Sequence, residues 1–92
     1  MTIKYKTLDV GCGANKCTPD ATGIDISPGP GVDLVGDALV LLKNMDTNSV
    51  GAIYSNHFLE HHEEPATVLK EMVRVLVPSG QIEIRVPHFS DP

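Results

Sequence analysis

A chain of 92 residues with a net charge of −5, two cysteines, two tyrosines, two phenylalanines and no tryptophan has room for one small domain. Its 41% apolar and 21% charged residues exclude a disordered or collagen-like chain. No apolar run approaches the ~20 residues of a membrane span, the N-terminal MTIKYKTLDV lacks the apolar core of a secretory signal, and the acidic balance disfavours nucleic acid and polybasic membrane anchoring. Cys12 and Cys17 make no disulfide framework, so a reduced, cytoplasmic protein is expected.

The first strand is predicted over Lys6–Val10, KTLDV, running into Gly11-Cys12-Gly13, the opening of a nucleotide-binding unit. Pro19 leaves room for one helical turn at most in the segment that follows. Thr22–Ile26 reads as a second strand, SPGPG as an irregular crossing, and Val32–Val35 as a third strand ending at Gly36-Asp37. Ala38–Met45 predicts a short helix with Asp37 as N-cap. DTNS is a turn, and Val50–Ser55 a fourth strand. After the polar, histidine-rich stretch Asn56–Glu64, Pro65 opens an amphipathic helix over Ala66–Val77, which Pro78-Ser79-Gly80 is expected to stop. Gln81–Val86 alternates as a fifth strand with one wet face or at an edge.

Strands joined by crossings rather than hairpins predict a parallel α/β sheet. The first two crossings are short. Five residues at ~3.3 Å each reach roughly 16 Å, just enough to return along a strand of four. Part of the sheet is therefore expected to lack helical cover.

Ligands of such sheets sit outside the carboxyl ends of the strands. Glycines at 11 and 13 let backbone approach a ligand closely. Asp25, at the end of the second strand, can accept from both hydroxyls of a ribose. Asp37, at the end of the third, can accept from an adenine amino group, with Ala38 and Leu39 as an apolar wall. Lys16 occupies the place of the third glycine of a dinucleotide pattern, and no long helix follows it. A pyrophosphate is thus disfavoured, while a nucleoside without phosphates fits.

The runs LDVGCG, GIDIS, GDAL, YSNHFLEH and LKEMVRVLVPSGQIEIRVPHF, in this order, resemble the class I S-adenosylmethionine-dependent methyltransferases, most of all their small, type 11-like branch, over about Lys6 to Asp91. The resemblance implies a Rossmann-like, mostly parallel sheet, here of about five strands in the order 3-2-1-4-5, and this sequence departs from the family in its reduced helices after strands 1 and 2. It implies S-adenosylmethionine as cofactor and methyl transfer as activity. Carried over by position, Asp9, Gly11 and Gly13, with Cys12 inside the turn, lie against the methionine part. Asp25 takes the ribose, with Ile26 beside the adenine. Asp37, Ala38 and Leu39 border the adenine edge. Ser55, Asn56 and His57 border the sulfonium. Gly51 and Ser79 depart from the family pattern, which has aspartate and glycine there. The family also continues with further helices and two more strands. Residues 1–92 are therefore expected to form one truncated, cofactor-binding domain, its acceptor unspecified, with the fifth strand as an open edge that pairs into a homodimer or larger assembly. The alternative is a non-catalytic module that binds the cofactor or a protein partner.

His57, His61 and His62 stand among Glu60, Glu63 and Glu64. His57 and His61 have a zinc-ligand spacing, but HExxH is absent and no cysteine is near, so no metal site is expected. His57 and His61, with His88, are the candidate general bases, against a plain packing or capping role. Cys12 and Cys17 lack the C-x-x-C spacing of a redox pair, and a small buried side chain is the expected role.

Overall fold

The computed structural model describes residues 3–13, 16–56 and 58–85. Strands β1 (Tyr5–Val10), β2 (Thr22–Asp25) and β3 (Leu34–Val35) lead into helix α1 (Ala38–Lys43). Strand β4 (Val50–Asn56), a 3-10 turn (Leu59–His61), helix α2 (Pro65–Val75) and strand β5 (Leu76–Arg85) follow. The five strands form one sheet in the order β3-β2-β1-β4-β5, and every pairing is parallel. Both the fold class and the strand order are those expected. Among the described residues no helix is long and apolar enough to cross a membrane.

Side-chain alternation decides where the core sits. Leu8 and Val10 of β1 pair laterally with Ile53 and Ser55 of β4, and one face of the sheet therefore carries all four. Helices α1 and α2 cover this face. Leu39, Leu42, Val68 and Met72 pack with Leu8, Val10, Ile24 and Ile53 in a single buried cluster. On the opposite face, Thr7, Ala52 and Gln81 form one row, and Asp9, Tyr54 and Glu83 the next. No helix of the described residues covers these polar rows, and the surface there is an open trough.

Local chemistry explains the element boundaries. Asp37 accepts the Leu39 N–H at 3.1 Å, capping α1 as expected. The helix ends at Lys43 instead of Met45. The N–H groups of Asn44 and Met45 turn back three residues to Leu41 and Leu42, tightening the last turn. Arg74 of α2 completes this end. Its guanidinium donates to the carbonyls of Leu42 and Met45, to the Thr47 hydroxyl and to Glu71, each at 2.9 Å. One side chain thus adds donors to the carbonyls at and just beyond the end of α1 and ties the two helices together.

The largest departure from expectation lies after α2. The helix ends at Val75, and the chain passes directly into β5, so Pro78-Ser79-Gly80 stop no helix. They lie inside the strand, where Val50 pairs with Leu76 and Ala52 with Gln81, a bulge that throws β5 out of register. A proline without an N–H is tolerated where the ladder is already interrupted.

The crossings after β1 and β2 are pinned by side chains. Lys16 reaches the Ala21 carbonyl at 2.8 Å and the Asp33 carboxylate at 3.2 Å. Asp33 also accepts the Gly23 N–H at 2.8 Å. These donors hold the Asp33 carboxyl below its ordinary value, the Gly23 N–H foremost. The Gly29–Gly31 segment lies so close to β2 that a Cβ at Gly23 would meet the Gly31 carbonyl and the Cys12 sulfur.

Candidate functional site

The carboxyl ends of β1, β2 and β3 open onto a cavity of about 260 Å³. Gly11 forms its β1 end, in a left-handed conformation (φ +73°) that favours glycine. Phe58 lies directly on Gly11, where an added Cβ would meet its ring and its own Cβ. Asp25, Ile26, Asp37 and Ala38 line the cavity from β2 to the start of α1, and His61 and His62 close it from the 3-10 turn and its end.

Asp25 is oriented by backbone. Oδ2 accepts the Gly13 N–H at 2.8 Å and Oδ1 the Ser27 N–H at 3.1 Å. A carboxylate has about four acceptor sites, and two therefore remain for a ligand. The Gly13 bond also ties the glycine turn to the end of β2.

Asp37 is held through a single oxygen. Oδ1 accepts the Leu39 N–H and stands 2.9 Å from His62 Nε2. The Glu64 N–H donates to His62 Nδ1 at 2.9 Å, so Nε2 carries the proton of the neutral ring and donates it to Asp37. His62 is only 13% exposed, and its ring tilts against Phe58 with centroids 5.8 Å apart. The His62 bond, then the Leu39 N–H, hold the Asp37 carboxyl below its ordinary value. Oδ2 takes no donor among the described residues and is left for a ligand.

The other expected site residues take different places. Asp9 is buried and outside the cavity. Its Oδ2 accepts the Cys17 N–H at 2.6 Å, which props the segment after the glycine turn. Burial raises its pKa despite that bond. The Cys12 sulfur faces the Gly31 carbonyl at 3.9 Å, and burial, then the charges of Asp9 and Asp25, push its thiol up. Leu39 belongs to the core. Ser55 is fully buried beside Val10 and Ile84, with no partner for its hydroxyl among the described residues. Asn56 ends β4, exposed. His57 and His88 lie outside the described residues.

The cavity thus unites Gly11, Asp25, Ile26, Asp37, Ala38 and His61 of the expected set. Phe58 was not anticipated, and neither was His62 as the partner of Asp37. An aromatic ring inside a polar stretch was the available signal for Phe58. The bond of His62 joins residues 25 apart, which no local pattern reveals.

This lining can accept hydroxyl and amino protons against two carboxylates and hold a flat ring between Ile26 and Ala38. Among the described residues no lysine or arginine lines it, so it offers a phosphate no cationic side chain. A neutral nucleoside fits these acceptors, and a cationic substituent suits the two negative charges. A family model described as a methyltransferase domain matches residues 8–84, from β1 into β5. No curated protein and no solved structure matches the chain.

Proposed function

The chain belongs to the methyltransferase-domain family, and on that premise we propose that it binds S-adenosylmethionine in the β1–β3 cavity for methyl transfer to an acceptor. The observation that carries this reading is the pair of carboxylates at successive strand ends, Asp25 and Asp37, each with acceptor capacity to spare. Asp25 would take the ribose hydroxyls and Asp37 the adenine amino group, with Ile26 and Ala38 against the ring. When bound, the cofactor supplies an electrophilic methyl group on a sulfonium.

The chain's own contribution is placement. Alignment of donor and acceptor accounts for much of the acceleration of an in-line transfer, and no strong base is obligatory. His61 lines the cavity and is exposed, so it is the described histidine proposed to take a proton from an acceptor that must lose one. His62 is committed to Asp37 and Glu64. Of the expected border of the sulfonium, Ser55 is buried away from the cavity, and Asn56 and His57 remain the proposed part.

Calorimetry with S-adenosylhomocysteine tests the reading. Binding is expected in the wild type and a loss of ten- to a hundredfold in Asp25→Ala, the scale of hydrogen bonds to a charged group. A folded protein that binds neither S-adenosylmethionine nor S-adenosylhomocysteine at millimolar concentration would refute it.

We also propose a second copy of the chain as partner. Among the described residues β5 is an edge strand, and Gln81, Ile82, Glu83 and Arg85 are exposed along it. An open edge offers unpaired backbone groups for strand addition.

A further inference from the structure

The cavity ends abruptly at its β1 side. Gly11 lines it, but Cys12, Gly13, Ser55 and Asn56 do not. Phe58 makes the barrier, because its ring and Cβ fill the space over Gly11 that any substituent there would need. The ring is half-buried, packs against the main core and leans on His62. His62 is in turn anchored to Asp37 at the far end of the same cavity.

The order of strand ends gives this barrier a meaning. A base at Asp37, on the β3 side, and a ribose at Asp25, at the end of β2, set a line along the strand ends that continues to the end of β1, where Phe58 sits on Gly11. Among the described residues, a Cβ at Gly13 would meet nothing within 4 Å.

We propose that Phe58 is the residue that sets ligand length at this site. With its ring on Gly11 the cavity takes a nucleoside as far as the ribose. A ligand with a long 5′ chain, such as S-adenosylhomocysteine, binds only by swinging the ring aside. The two outer anchors, Asp25 and Asp37, are preformed, and the third part of the site is opened by the ligand itself. This inference rests on the nucleoside reading of the cavity and goes beyond it by assigning its selectivity to one side chain.

The test is a matrix of two ligands, adenosine and S-adenosylhomocysteine, against wild type and Phe58→Ala, by calorimetry on protein shown to be folded by circular dichroism. Phe58→Ala is expected to strengthen S-adenosylhomocysteine binding about tenfold relative to its effect on adenosine binding. Equal changes for both ligands, or a weaker S-adenosylhomocysteine complex in the variant, would overturn the proposal while the nucleoside reading stands. Absence of both ligands from folded wild-type protein overturns both. Because Phe58 also touches the core, a wild-type measurement is paired with the variant. The Phe58 ring proton resonances are expected to move strongly with S-adenosylhomocysteine and little with adenosine. The same displacement with both ligands would show that the ring does not gate length.

Discussion

His62 Nε2 stands 2.9 Å from Asp37 Oδ1, while the Glu64 N–H reaches His62 Nδ1 at the same distance. The backbone of one helix start thereby chooses the tautomer that orients the N-cap carboxylate of another. The Asp37 carboxyl is held below its ordinary value of 3.8. Its contribution to stability is complete above that value and is lost as the pH falls through the lower, folded one. His62→Ala removes the first-ranking donor and keeps the Leu39 N–H. The Asp37 titration, followed by carboxyl NMR, is expected to move upward, toward 3.8. An unmoved midpoint would show that the histidine does not govern this charge.

Asp37 has two duties that one substitution separates. Asn serves as an N-cap about as well as Asp. Asp37→Asn is therefore expected to keep unfolding stability within about 0.5 kcal/mol in urea titrations. The same variant loses the charge and one ligand-facing acceptor, and its affinity for S-adenosylhomocysteine is expected to fall about tenfold. Unchanged affinity would remove Asp37 from the proposed site.

Arg74 is a structural counterpart. It donates to two backbone carbonyls at the end of α1, and nothing else on α2 replaces it. Arg74→Ala is expected to cost about 2 kcal/mol, the scale of hydrogen bonds to a charged group. Arg74→Lys should recover less than half, because a single ammonium lacks the planar fork that spans Leu42, Met45 and Thr47. Full rescue by lysine in thermal unfolding would argue that charge alone is what matters.

Asp9 gives the opposite pH signature from Asp37. Burial raises its folded pKa above the ordinary 3.8, and the folded state therefore binds the proton more tightly than the unfolded chain. Stability from this group falls as the pH rises from 3.8 through the raised value and is constant above it. Asp9→Asn removes that descent, and its side-chain oxygen can still accept from Cys17. The variant's stability is expected to be flatter across this window by denaturant titrations at several pH values. A steeper curve would refute the assignment.

The open edge makes a prediction about assembly. Sedimentation of the 92-residue chain at tens of micromolar is expected to show a dimer or larger species, and Ile82→Lys, a charge placed on β5, to shift it toward monomer. A wild-type monomer at that concentration would defeat the pairing.

Much of the fold was legible because strand ends coincide with residues of strong local meaning. LDV before GCG, GID before the SPGPG crossing, and Asp37 before an apolar run each mark a boundary by chemistry. The cavity residues Gly11, Asp25 and Asp37 follow from those boundaries. Where reading failed, the deciding partner was distant in sequence. Pro78-Ser79-Gly80 looks like a helix stop, but β4 had already recruited Leu76 into the sheet and left the three residues to bulge. Arg74 looks like a solvated charge on α2 until α1 is placed beside it. Lys16, out of place in a glycine pattern, serves as a clamp on Ala21 and Asp33.

The position of β1 at the centre of the sheet has a consequence for how the molecule opens. Leu8, Asp9 and Val10 are buried and flanked by strands on both sides, whereas β3 is two residues long and sits at the margin. Amide hydrogen exchange should therefore be slowest at β1 and rapid at β3 and at the start of α1. That fast-exchanging margin carries Asp37. Ligand engaged there would be reported as slowed exchange at Leu34, Val35 and Leu39, a footprint at the loosest part of the fold.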